Sequence, residues 1–165
     1  MDIQHLHATA LRLLTPSKGI LAADESNHTC NARFAAYGIP ETEENRRAYR
    51  QMLFTTPGIE KYITGVILYD ETIRQKTNPM TRTKGDTGMF FREYLIQKGI
   101  LSGIKVDAGL VDMPGFPGET ITQGLDGLPA RLEEYKSMGA SFAKWRAAFK
   151  IGANTPSEEV IRENA

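Results

Sequence analysis

Apolar residues Ile3, Leu6, Ala10 and Leu13 recur at the spacing of one helix face and stop at Thr15-Pro16. Proline disfavours helix in the residue before it and has no amide hydrogen to donate, so the pattern predicts a short amphipathic helix ending there. The period then changes. Gly19-Ile20-Leu21-Ala22-Ala23-Asp24 is a compact apolar run closed by an acid, which predicts a strand buried on both faces with its carboxyl end exposed. Gly65-Val66-Ile67-Leu68-Tyr69-Asp70-Glu71 repeats that pattern, and Gly103-Ile104-Lys105-Val106-Asp107 and Ser141-Phe142-Ala143-Lys144-Trp145-Arg146 give a third and a fourth strand. Helical patterns separate them. Thr42 caps a helix over residues 43–53 whose apolar stripe is Ala48, Tyr49, Met52 and Leu53. Phe90, Phe91, Tyr94 and Leu95 mark a helix that ends at Gly99, and Leu128, Leu132, Tyr135 and Met138 mark one closed by Gly139.

Strand and helix alternate at intervals of about 40 residues, which points to an α/β fold with a parallel sheet, since parallel neighbours need a helical crossover. No self-similarity accompanies the alternation, so it is repeated architecture rather than a repeat array. Residues 76–88 and 112–127 are rich in Gly, Pro, Thr and Asp; they are predicted to be long loops at the carboxyl ends of strands, where such folds carry function. Thr155-Pro156-Ser157-Glu158 predicts a capping box with proline at the first helical position, opening a helix that runs to Ala165. An eight-stranded barrel takes about 250 residues, so four strands in this chain would be half of one.

A chain of 165 residues can bury one sizeable core and is expected to be one domain. With 41% apolar and 24% charged residues, neither a disordered tail nor a fibrous repeat fits. Twenty Lys and Arg balance twenty Asp and Glu, which removes the bulk attraction that non-specific binding to nucleic acid or anionic membrane relies on. Neither partner is expected. No apolar run approaches the roughly 18 residues of a membrane span, and an early Asp2 without a basic n-region does not read as a secretory signal. The single Cys30 excludes an intramolecular disulfide, and His5, His7 and His28 are too few for a dense metal cluster. A reducing compartment and chemistry without metal or cofactor are the expectation.

Side chains alternate along a strand, so Lys105 and Asp107 would share one face, and Lys144 and Arg146 another. Burying an unpaired charge costs several kcal/mol or shifts its pKa. These residues therefore form internal ion pairs, for example with Asp24, or line a site. Two lysines and an arginine beside acids suit an anionic, phosphorylated small molecule: Arg146 offers a bidentate fork and the lysines offer point charges. A lysine crowded by cations can also lose its proton and attack a carbonyl to form a Schiff base, while Asp24 handles protons. Spacing leaves open which lysine does so. His28-Thr29-Cys30 lacks further partners for a metal, and no Walker, Gly-x-Gly-x-x-Gly or Gly-x-Ser-x-Gly motif is present. Trp145, Phe142 and Phe149 are assigned to packing.

Six segments in one order carry a resemblance: SKGILAADES (17–26), TEENRRAYRQML (42–53), GVILYDETIRQK (65–76), GIKVDAG (103–109), GETITQGLDGL (118–128) and FAKWRAAFKIG (142–152). Together they closely resemble the amino-terminal half of class I fructose-bisphosphate aldolase. The resemblance implies a (β/α)8 TIM barrel, with residues 1–165 as the amino-terminal half of a single barrel domain and only the first four βα units present. It implies reversible cleavage of fructose 1,6-bisphosphate to dihydroxyacetone phosphate and glyceraldehyde 3-phosphate, through a lysine Schiff base and without metal, in glycolysis and gluconeogenesis. A cytoplasmic location and a homo-oligomer, commonly a tetramer, are implied with it. Asp24 corresponds to the strand-1 aspartate acting at the hydroxyls beside the broken bond. Lys144 corresponds to the strand-4 lysine that aids carbinolamine dehydration and proton handling. Lys105 and Arg146 are implied as cations near the substrate, and Ser26 and Thr29 as members of the loop that meets the distal phosphate. The family's Schiff-base lysine lies on strand 6, its acid/base glutamate on strand 5 and further phosphate ligands on later strands, all outside these residues. Residues 1–165 alone are therefore expected to be inactive, and the alternative reading is a half-barrel that serves only as a binding or assembly module. Ala32-Arg33 stands where many members carry Lys-Arg; HTCNARF (28–34) and the loop over 79–88 look more like bacterial members.

Overall fold

The computed structural model describes residues 2–79 and 87–165. In chain order its elements are α1 (Ile3–Leu13), β1 (Gly19–Ala22), α2 (Asn27–Ala35), α3 (Glu43–Phe54), a 3-10 turn (Ile59–Lys61), β2 (Ile63–Leu68), α4 (Asp70–Arg74), α5 (Phe91–Gln97), β3 (Leu101–Lys105), β4 (Gly109–Asp112), β5 (Thr120–Gln123), α6 (Leu128–Ser137), β6 (Phe142–Lys144) and α7 (Glu158–Asn164). Four strands form one sheet in the order β1-β2-β3-β6. β1 runs parallel to β2, with Ala22 opposite Ile67, and β2 runs parallel to β3, with Leu68 opposite Ile104. The crossovers that parallel pairing demands are α2 with α3, then α4 with α5. This is the α/β class with the parallel sheet that the alternation predicts.

By contact density the described residues divide into two compact units, Met1–Lys105 with Tyr135–Ala143 and Val106–Glu134 with Lys144–Ala165. In the first, the central strands meet the expectation of burial on both faces: Thr64, Gly65, Val66 and Leu68 of β2 are buried, as are the first four residues of β3. Phe142 lies so close over Gly65 and Gly103 that a methyl group at Gly103 would fall inside its ring, which is why neither position carries a side chain. β1 is less buried than expected, with Gly19, Ile20 and Ala22 exposed; among the described residues it pairs with β2 on one edge. α1 forms as predicted and ends before Pro16, with Asp2 as its cap, but buries none of its residues. The Thr64 hydroxyl ties it to β2, donating to the Leu13 carbonyl at 3.0 Å.

Several boundaries differ from the predicted ones. α3 is capped by Thr42 as expected, yet its buried residues are Arg50 and Phe54, while Ala48 is exposed and Met52 is 60% exposed. The helix turns that way because Phe54 meets the ring of Phe91 edge-on at 5.3 Å and Arg50 reaches Glu25. β2 stops at Leu68, and Asp70 and Glu71 open α4 instead of ending the strand. Gly99 (φ 72°) closes α5 in the left-handed conformation that glycine tolerates best, allowing the chain to turn into β3. The loop predicted over 76–88 closes at its neck: Lys76 bridges Phe90, and the Thr77 N–H donates to the Met89 carbonyl at 2.8 Å. Residues 80–86 of that loop lie outside the described residues.

In the second unit, the long loop predicted over 112–127 instead contains half of an antiparallel hairpin, β4 with β5, pairing Gly109 with Gln123 and Asp112 with Thr120. The short alternations Leu110-Val111-Asp112 and Thr120-Ile121-Thr122 are the signal for it. The helix at the end of the chain starts later than predicted. Ser157, not Thr155, is its cap, accepting from the Val160 N–H at 3.2 Å, and Pro156 lies outside the helix because the Thr155 carbonyl is engaged by the Gly152 N–H. Asn164 of α7 ties this helix to β5, accepting from the Thr122 N–H and donating to the Thr120 carbonyl, both at 3.1 Å.

Candidate active site

Asp24 follows β1 by two residues and is buried, 8% exposed. The ladder reaches as far as Ala23, whose N–H donates to the Ile67 carbonyl at 3.1 Å, so Asp24 leaves the sheet at a fixed point. Ser26 and Thr29 do not lie in a loop, as the resemblance implies, but at the start of α2. Ser26 is the helix cap: its Oγ accepts from the Thr29 N–H at 3.3 Å and lies 3.1 Å from Thr29 Oγ1. Ser, Asn and Thr so close together compete for local backbone groups, which favours a cap over a loop. The result is two hydroxyls at the N-terminus of a nine-residue helix whose Thr29 amide Ser26 already caps, a combination of hydroxyls and helix dipole suited to an anion. Lys105 is the last residue of β3 and is half-buried.

Lys144 belongs to the second unit and is the last residue of β6. Its carbonyl accepts from the Val106 N–H at 3.1 Å, and its side chain is half-buried. Arg146 is exposed and lies beyond the strand; its carbonyl accepts from Thr122 Oγ1 at 2.8 Å. The alternation argument that put Lys144 with Arg146, and Lys105 with Asp107, on shared strand faces reaches beyond the strands themselves. β6 ends at Lys144 and β3 at Lys105, and past a strand end the period of two no longer governs direction. Asp107 instead accepts from the Gly109 N–H at 3.2 Å, forming the turn into β4. In the first unit, Asp24 follows the end of β1 and Lys105 is the last residue of β3, so both stand at the carboxyl ends of parallel strands.

The sequence reading missed the charged cluster beside Asp24. Glu25 Oε2 accepts from Arg50 at 2.5 Å, and its Oε1 accepts from Arg33 at 2.5 Å. Arg50 also donates to the Glu25 carbonyl at 2.9 Å and approaches Cys30 Sγ at 3.4 Å. Next to this pair, Arg46 holds Glu71 with two bonds, 2.8 and 2.7 Å, and Asn27 donates to the same carboxylate at 3.0 Å. The signal was available: Arg46, Arg50 and Phe54 stand four apart on α3, one row down a helix, and an apolar-only stripe overlooks a row containing arginine.

Burial alone would raise the Glu25 pKa, but the hydrogen bond and charge of Arg50, with Arg33, hold it below its ordinary value of 4.5. Burial pushes the Cys30 thiol up, so it stays protonated and unreactive at neutral pH. A carboxylate whose folded pKa is depressed contributes stability that is present above its unfolded pKa and lost as pH falls through the folded one. Urea midpoints are accordingly expected to fall as pH drops below the ordinary carboxylate range. In Glu25→Gln the midpoint should start lower at neutral pH and fall less over that window; parallel pH curves for the two proteins would remove Glu25 from the account.

The chain matches the family model for class-I fructose-bisphosphate aldolase over residues 5–165. A probable fructose-bisphosphate aldolase class 1 of Xanthomonas campestris pv. campestris is 52% identical over 165 residues, 100% of this chain and 47% of the relative. A cytosolic fructose-bisphosphate aldolase of Arabidopsis thaliana is 52% identical over 157 residues, covering 95% of this chain and 42% of the relative. Among solved structures, the fructose-bisphosphate aldolase of Plasmodium falciparum, determined with TRAP and a small-molecule inhibitor, superposes with a TM-score of 0.89 at 42% identity, over 97% of this chain and 44% of that one. The chain thus spans about half the length of the curated relatives it matches. Among the described residues no helix is long and apolar enough to cross a membrane. On the family match, the chain belongs to the class-I fructose-bisphosphate aldolases.

Proposed function

We propose that residues 1–165 form the amino-terminal half of a single (β/α)8 barrel domain, its first four βα units, that cleaves fructose 1,6-bisphosphate reversibly to dihydroxyacetone phosphate and glyceraldehyde 3-phosphate. The observation that carries this is the family match over residues 5–165. In this reading Ser26, Thr29 and the first amides of α2 receive the distal phosphate, and Lys105 and Arg146 supply positive charge to the substrate. A lysine outside residues 1–165 attacks the ketose carbonyl, losing water to leave a Schiff base without metal. The iminium draws electrons from the carbon–carbon bond as that bond breaks. Asp24, buried at the end of β1, handles the proton of the adjacent hydroxyl, and Lys144 aids loss of water from the carbinolamine. The enzyme would serve glycolysis and gluconeogenesis in the cytoplasm, in keeping with the cytosolic Arabidopsis relatives, and would assemble as a homo-oligomer, a tetramer as in the family.

The test is a full barrel in which residues 1–165 are followed by the remaining half of the Xanthomonas campestris relative. Purified and assayed by coupled reduction of the dihydroxyacetone phosphate released, read as oxidation of NADH, it is expected to turn over fructose 1,6-bisphosphate. A folded barrel that binds the sugar without cleaving it would sink the reading and leave a binding module.

A further inference from the structure

Arg50 is the bulkiest fully buried side chain among the described residues, 2% exposed, and a methionine or leucine could fill its volume without taking a guanidinium out of water. Its hydrogen bonds explain the burial. One end of the fork holds the Glu25 carboxylate at 2.5 Å, and the other holds the Glu25 main-chain carbonyl at 2.9 Å and reaches Cys30 Sγ at 3.4 Å. Both polar groups that Glu25 can offer as acceptors are thus fixed by one cation carried on α3. Glu25 is the residue joining Asp24 to Ser26, at the point where the chain leaves β1 and turns into α2. The far side of that turn is pinned as well, because the Cys30 N–H donates to the Ser26 carbonyl at 2.9 Å. Tyr49 presents its ring to the Arg50 guanidinium at 5.2 Å and its hydroxyl to Glu25 Oε1 at 3.4 Å, closing the cluster.

We infer that Arg50 and Glu25 form a clamp that sets the positions of Asp24 and Ser26 for the reaction, with Arg50 as a positioning residue that never touches the substrate. The inference rests on the proposed aldol function. A clamp of this kind acts on geometry. Lysine at position 50 keeps the charge and can keep one bond to Glu25, but a single ammonium cannot reproduce a planar fork spanning a carboxylate and a carbonyl. The segment 24–26 would then drift, and displacement by about 1 Å can lower a rate on the order of 100-fold.

The experiment uses the full barrel carrying residues 1–165, with Arg50→Lys and Glu25→Gln compared with the parent on fructose 1,6-bisphosphate and fructose 1-phosphate, which lacks the distal phosphate. Arg50→Lys is expected to lower kcat at least roughly 10-fold on both sugars, through Asp24. It should raise KM for the bisphosphate alone, through Ser26. Glu25→Gln keeps the carbonyl anchor and should move the same constants less. A variant pair with the parent's kinetic constants and only a lower melting temperature overturns the clamp, as does failure of both variants to fold, which would make the pair a folding element. An inactive parent overturns the aldol reading and the clamp with it; an active parent with unmoved variants overturns the clamp alone.

Discussion

Borohydride added to residues 1–165 in the presence of fructose 1,6-bisphosphate is expected to trap no sugar on any lysine, whereas the full barrel should gain one reduced sugar phosphate on a lysine beyond residue 165. Forming a Schiff base needs an amine that is both deprotonated and aimed at the ketose carbonyl. In the proposed mechanism that amine, and the glutamate that serves it, come from the later strands. Groups that act as a unit do not leave proportional activity when one is removed, so the half lacking the nucleophile should retain no covalent route. Lys105 and Lys144 both end strands of the sheet and are half-buried, which makes them the two lysines most open to the opposite result. Peptide mapping decides between them, and an adduct on either would refute their assignment as supporting cations.

The parallel sheet was legible because its signal is local and doubled. β2 and β3 are apolar on both faces, and helical periods separate them, so period and length agree. What one sequence does not report is which neighbours cover a strand: the run Gly19-Ile20-Leu21-Ala22 reads like the others, and Ile20 is 44% exposed here, while in the proposed barrel the other edge of β1 would meet a strand beyond residue 165. The hairpin β4 with β5 was hidden for a different reason: each strand is only four residues long, and between them Pro114, Gly115, Pro117 and Gly118 read as loop whatever flanks them.

The candidate site residues were legible to different degrees. Asp24 stood out because it is a charge closing an apolar run, and Lys105 and Lys144 because each is a charge set inside one. Arg146 was placed by carrying strand alternation two residues beyond the strand's end. Ser26 and Thr29 were expected in a loop and stand instead at the start of α2, since nine residues without a strong apolar stripe give little helical period to detect. Glu25 and Arg50 were missed because they pair across 25 positions, and one sequence does not reveal which buried charge meets which.

Replacing Lys144 by Met in the full barrel is expected to lower turnover at least roughly 100-fold, within the range of about 10² to 10⁴ that a positioned proton-transfer group supplies. Methionine keeps an unbranched stem of similar length, so the packing of the half-buried side chain survives while the ammonium is lost. The strand itself needs only the backbone there: the Lys144 carbonyl still accepts from Val106, and that bond does not depend on the side chain. The loss should therefore fall on kcat rather than on the melting temperature, because an interaction that stabilises developing charge acts in the transition state more than in the bound sugar. It should also slow the borohydride-trapped step, since the proposed role of Lys144 is to help water leave the carbinolamine before the Schiff base can be reduced. A Lys144→Met barrel with the parent's turnover and a lower melting temperature would instead show Lys144 to be a structural ion-pair partner, leaving Asp24 as the one proton-handling group in residues 1–165.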